Sequence, residues 1–191
     1  MSVSTTAING AILLLLMIQV IVSAIAYRVL SNNLFDGDSE QKMCILYQVK
    51  GDPSTYYNES CKGATNLFTI SLIMAPLLII FYGVSAYKGF IRQRALSYSL
   101  AVLHLILAVL TLAGACLLVI GLQKTSDSRG FPSVDSFIAD YSARYMNGNQ
   151  TLIPTAINAA WASVISWVIT AAIEFVHGYA VTTAGKTATC H

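Results

Sequence analysis

Charge is what this sequence has least of. Of its 191 residues only 10% are Asp, Glu, Lys or Arg, while 55% are apolar. A soluble domain carries about 25% charged residues. So little charge cannot coat a surface that faces water, and contact with lipid is the natural resolution. The net charge of +2 is too small, and no basic stretch long enough, to track phosphates, so nucleic acid is excluded as a partner. A phosphate-binding glycine loop and a metal-ligand cluster are also missing. The three histidines, at 104, 177 and 191, stand apart with no ligand spacing between them. No cofactor or metal is expected. Ser and Asp occur, but none in a context that marks a nucleophile, so no enzymatic activity is expected.

The missing charge is not spread evenly. Residues 1–27, 63–87, 95–123 and 145–173 contain none. A spanning helix needs about 20 mostly apolar residues, so each run is long enough to cross a bilayer once and too short to cross it twice. In lipid the backbone must satisfy its own hydrogen bonds, which requires helices unless a barrel closes. The runs lack the alternation of barrel strands. The expected fold is an all-α membrane protein, a single four-helix transmembrane bundle over residues 1–191. Its helices are placed near 7–28, 65–88, 95–122 and 154–178. Ala24-Ile25-Ala26 resembles a small-residue cleavage site, which would make residues 1–26 a signal peptide. Against this, the apolar core exceeds the usual length, and nothing before it is charged except the amino terminus.

Two short outer loops, 29–64 and 124–153, share one side. The tight turn 88–94, the amino terminus and a tail at 179–191 share the other. The turn carries Lys88, Arg92 and Arg94 and no acid, which is the cytoplasmic bias. Each long loop holds an acceptor triplet for N-linked sugar, Asn58-Glu59-Ser60 and Asn149-Gln150-Thr151. Together these place the loops outside and both termini in the cytoplasm, with the chain in the plasma membrane or secretory pathway. Cys44 and Cys61 then lie in an oxidising compartment, where a disulfide between them is expected. It would close about 18 residues, worth roughly 3 kcal/mol by chain entropy. It reads as a staple rather than a redox pair, since no Cys-x-x-Cys is present. Cys116 falls within the third helix, where a packing role suits it. Cys190, in the tail, is a candidate for palmitoylation, with a plain free thiol as the alternative.

Polar residues within the spans are functional suspects by default. They are Gln19, His104 and Glu174. By helix rise, His104 lies about 14 Å in from the cytoplasmic side and Glu174 about 6 Å, so their depths are comparable. Structural pairing or snorkelling of Glu174 to the headgroups competes here with ion or proton conduction. Gln19 is expected to bridge helices. In the fourth helix Ala162, Ser166, Thr170, Glu174 and Gly178 recur every four residues. In the third, Ala101, Ala108 and Ala115 recur every seven, flanked by His104 and Thr111. Small residues let helices approach closely, so the third and fourth helices are expected to pack through these faces. Pro76 is expected to kink the second helix. Trp161 is placed for an aromatic belt. In the second loop Val134, Phe137, Ile138 and Tyr141 mark one face of a short amphipathic helix.

Cys44-Ile45-Leu46-Tyr47 after the first helix, Cys61 just before the second, and Trp161-Ala162-Ser163 with Trp167 and Phe175 in the fourth resemble the transmembrane protein 179 family. That family also carries cysteines in the second outer loop, and this chain has none there. The resemblance implies four membrane helices and no established enzymatic activity. Claudin-like proteins and tetraspanins fit less well. The first loop lacks the claudin tryptophans, and the second lacks Cys-Cys-Gly. The reading is a non-enzymatic protein acting by lateral association with lipid-embedded partners or with itself, as an accessory subunit of a channel, receptor or transporter complex. The alternative is a small oligomeric pore or carrier built around Gln19, His104 and Glu174.

Overall fold

The apolar runs fold as four long helices. The computed structural model describes residues 5–33, 35–36, 43–47, 60–87, 94–146 and 148–188, with side chains over 7–31, 45–47, 61–87, 94–144, 146 and 148–180. Among the described residues the elements are α1 Thr5–Asn33, β1 Phe35–Asp36, β2 Met43–Cys44, α2 Ser60–Tyr87, α3 Arg94–Arg129, α4 Val134–Tyr145 and α5 Leu152–Ala188. The four long helices each carry a stretch apolar enough to cross a bilayer. The chain is thus an all-α integral membrane protein.

The helices form a ring in the order α1, α2, α3, α5. The most extensive side is α3 on α5, and α2 on α3 is the least extensive. The outward faces carry bare hydrocarbon: Ile73, Leu77 and Ile80 on α2, Val102, Leu105 and Val109 on α3. Exposed Trp161 and Tyr179 lie on α5 about 27 Å apart by helix rise, close to the ~30 Å of a hydrocarbon layer. Tyr27 at the loop end of α1 and Tyr87 at the turn end of α2 are exposed as well. Amphipathic rings favour these two levels because one edge can reach the headgroups.

Each helix begins before the bound read from charge, and α1, α3 and α5 also run past its end. The change from apolar to polar residues marks where lipid ends, and a helix stops only where something breaks it. α3 continues past 122 through Lys124, Thr125 and Ser126 to Arg129. There Gly130 adopts a left-handed φ of 77°, and its N–H donates to the Asp127 carbonyl while Phe131 N–H donates to that of Ser126. This is a Schellman stop, followed by Pro132. Ser133 then caps α4, accepting from the Ser136 N–H while the Ser136 hydroxyl receives the Ser133 N–H. α2 runs unbroken through Pro76, which sits on its exposed face.

Two cores result. The loop-end core joins Leu30, Leu46, Cys61, Phe68, Leu118 and Phe137 with their neighbours. The terminus-end core joins Ile12, Leu16, Leu78, Tyr82, Leu107 and Trp167 with theirs. The first is roofed by α4, whose Phe137, Ile138 and Tyr141 are buried, and by Ile45–Tyr47 of the first loop. That loop segment docks on α3. Tyr47 N–H donates to the Gly121 carbonyl at 3.2 Å, and Thr125 Oγ1 to the Ile45 carbonyl at 2.8 Å. A Cβ on Gly121 would meet Leu46 Cβ and the Tyr47 ring at 2.9 Å, so only glycine allows this approach.

Candidate functional site

α5 brings the polar residues of the spans onto one face. Ser163, Trp167, Thr170, Glu174 and His177 alternate in steps of four and three, which keeps them on a single helix seam, and all are buried. Against this seam α1 sets Gln19 and Ser23, α2 sets Ser71 and Tyr82, and α3 sets His104 and Ser97.

The upper part of the seam is a hydrogen-bonded knot around Gln19, which is fully buried. Its carboxamide orientation follows from chemistry. The Trp167 indole N–H can only donate. It lies 2.8 Å from the amide atom that the Ser23, Ser71 and Ser163 hydroxyls also approach, so that atom is the oxygen. The amide nitrogen then donates to the Ser163 carbonyl at 3.1 Å. One oxygen cannot accept from four donors at once, and the hydroxyls share the load. Ser23 and Ser71 Oγ lie 3.0 Å apart, and Ser71 Oγ is 2.9 Å from the Trp167 indole nitrogen. Gln19 thereby ties α1, α2 and α5 together.

The lower part is ionisable. Tyr82 donates its hydroxyl to Glu174 Oε1 at 2.5 Å. The His104 ring stacks 6.2 Å from the Tyr82 ring and lies 5.6 Å from that of Trp167. Toward the termini, His177 Nδ1 lies 3.0 Å from Ser97 Oγ. Glu174 and His104 are both 0% exposed. Glu174 therefore does not snorkel to the headgroups. It points into the bundle and takes the hydrogen bond of Tyr82. Tyr82 connects the two residues, one through its hydroxyl and the other through its ring face.

The small residues are placed as follows. Ala101, Ala108 and Ala115 are buried on α3. On α5, Ala162 is half-buried and stands off the seam. Ser166 donates to the Leu15 carbonyl of α1 at 3.2 Å, and Thr170 to the Ser166 carbonyl of its own helix. A Cβ on Gly178 would come within 3.2 Å of the Tyr98 ring and 3.4 Å of Ser97 Cβ, so this glycine meets α3. Each step of four residues overshoots a full turn by roughly 40°. The row from Ala162 to Gly178 therefore winds from the α1 side to the α3 side instead of forming one stripe.

Asn149 is exposed at the base of α5, and its Oδ1 accepts from the Thr151 hydroxyl at 2.8 Å. Cys116 is half-buried with a free thiol. Asn58, Cys190 and the side chain of Cys44 lie outside the described residues. Sequence reasoning missed Tyr82, Ser71 and the Ser97–His177 pair, and gave Trp167 no role. A signal was available in α5, where the step-four, step-three spacing links Ser163, Trp167, Thr170 and Glu174. No group of three or more His, Cys, Asp and Glu able to hold a metal occurs among the described residues. Comparison of the chain with protein families, with curated proteins and with solved structures finds no match in any of the three.

Proposed function

We propose that this chain is a non-enzymatic membrane protein that works by lateral association, as an accessory subunit of a larger channel, receptor or transporter complex. One observation carries the reading. The polar side chains of the spans are turned inward and bonded within a single chain, while the outward faces of α2 and α3 are apolar. A bundle completed in this way can meet a neighbouring helix through van der Waals packing without giving up its own contacts. The oligomeric pore draws less support. It requires Gln19, His104 and Glu174 at an interface between copies, and all three are buried inside one.

In this reading the loops lie outside and both termini in the cytoplasm of a plasma-membrane or secretory-pathway protein. The basic turn at Lys88, Arg92 and Arg94 supports that orientation. Cys44 and Cys61 form the staple of the first loop. In support, Ile45 and Leu46, next to Cys44, share a core with Cys61, and the free thiol among the described residues is Cys116. Asn58 and Asn149 carry sugar, and the exposure of Asn149 favours its modification. The resemblance to the transmembrane protein 179 family is compatible with a role that involves no catalysis.

Purification from native membranes in mild detergent, with mass measurement, tests the proposal. The expected result is a particle heavier than one chain, containing other membrane proteins or further copies. A lone monodisperse monomer across several mild detergents overturns it.

A further inference from the structure

Charge on this protein is divided by side. The loop segments 29–64 and 124–153 hold eight acids against six bases. The terminus-side segments 1–10, 88–94 and 179–191 hold Lys88, Arg92, Arg94 and Lys186 and no acid. The acid of α5, Glu174, is buried and takes the Tyr82 hydroxyl. A surface charged in this way attracts anions. Among these four bases, Arg94 belongs to the described side chains, and it is exposed. Its guanidinium carbon lies 5.5 Å from the centre of the Tyr98 ring. The Tyr98 ring in turn meets the Phe175 ring edge-on, with 5.4 Å between centres and 61° between planes. Gly178 makes this corner possible, because a Cβ there would come within 3.2 Å of the Tyr98 ring. Arg94, Tyr98 and Phe175 thus form a ladder across α3 and α5, and it stands on the outer surface, where Phe175 is exposed.

Depth identifies what the ladder faces. Tyr98 packs on Gly178, the neighbour of Tyr179, so it stands at the terminus-side aromatic level. Arg94 is four residues nearer the termini, about 6 Å further out by helix rise. The headgroup layer occupies about 5–8 Å beyond the hydrocarbon on each side, so the guanidinium falls within it, where the recurring anion is a lipid phosphate. In the other direction the ladder continues into hydrocarbon through exposed Phe175 and through exposed Val102, which follows Tyr98 by four residues on the same face of α3. The strip runs from a cation through a polar-edged ring to hydrocarbon, the order in which a phospholipid runs from phosphate through glycerol to acyl chain. We propose that this corner of α3 and α5 holds an anionic phospholipid. Arg94 pairs the phosphate through its fork of N–H donors, a geometry that a lysine ammonium does not provide. Tyr98 restrains the guanidinium by the cation–π contact. The acyl chain lies along Phe175 and Val102. The acid-free charge of this side favours a lipid of net negative charge over a zwitterionic one.

The test places the full chain in nanodiscs of equimolar phosphatidylcholine, phosphatidylglycerol and cholesterol. Native mass spectrometry then reads which lipids stay bound after release. The expected result is retention of phosphatidylglycerol in preference to the other two. Arg94→Gln lowers its ratio to phosphatidylcholine by about fivefold, the weight of one basic residue at an anionic surface. Arg94→Lys keeps the charge and loses the fork, and gives an intermediate ratio. Lys186→Gln removes the same charge about 12 Å past Gly178 along α5, and leaves the ratio as it was. Thermal unfolding of each variant verifies that the fold is kept. Equal retention of the two phospholipids overturns the proposal, as does preferential retention of cholesterol. So does an equal loss in Arg94→Gln and Lys186→Gln, which would mean a diffuse field in place of a site.

Discussion

Toward the loops, the bundle closes on hydrocarbon. Phe68 fills against Gly114, Leu46 presses on Gly121, and Phe137 and Tyr141 of α4 form the roof. Toward the termini, the same four helices close around Trp167, Tyr82, His104 and Glu174. The fold tolerates both solutions for different reasons. The loop-end core extends to α4 and the docked first loop, and apolar burial against water is driven by water. The terminus-end core is built from the apolar helices alone, and in lipid, where hydrocarbon outside is as apolar as hydrocarbon inside, specificity has to come from shape and hydrogen bonds. The contrast assigns adhesion of the loops to one end and helix register to the other.

The contrast can be broken first at Trp167. Trp167→Ala removes the largest fully buried side chain and a donor of the Gln19 knot. A loss of about 3–5 kcal/mol is expected from cavity formation. Thermal unfolding in nanodiscs checks it, and hydrogen exchange should rise in the terminus-side halves of α3 and α5. If Cys61 is bridged to Cys44 as proposed, Cys61→Ser should cost about 3 kcal/mol by loop-closure entropy, with faster proteolysis confined to the first loop. An effect that spreads to the terminus end would erase the distinction. Gly121→Val should cost about 1–3 kcal/mol through overpacking and undock Ile45–Tyr47, read as loss of amide protection at Tyr47. Gln19→Ala is expected at about 1–2 kcal/mol, since the serines left behind can partly re-bond to one another. The smallest effect belongs to Val109→Ala on the exposed face of α3, within about 0.5 kcal/mol on the isolated chain. The same change should weaken co-purification if that face meets a partner.

Much of the four-helix plan was legible because charge is so scarce that its gaps outline the spans. The amphipathic face of α4 was also legible, since Val134, Phe137, Ile138 and Tyr141 obey helix spacing. The loop-side end of α3 was not, because Lys124 and Thr125 signal the edge of the lipid while the helix runs on to Arg129. The site was half legible. Gln19, His104 and Glu174 stand out as polar residues in apolar runs. Their partners do not, because Ser71 and Tyr82 look ordinary within α2 until its rotation relative to α5 is known. Docking of the first loop depends on a missing side chain at Gly121, and nothing in the local sequence points to Leu46 as the residue that fills that space.

The length of α3 has a geometric consequence. It is one unbroken rod of 36 residues, about 54 Å long. One end is clasped by the docked loop at Gly121 and Thr125, and the other touches His177 through Ser97. Ser97 and Gly121 are thus held about 36 Å apart by one continuous helix, so the spacing between the loop clasp and the far contact is set by a single element.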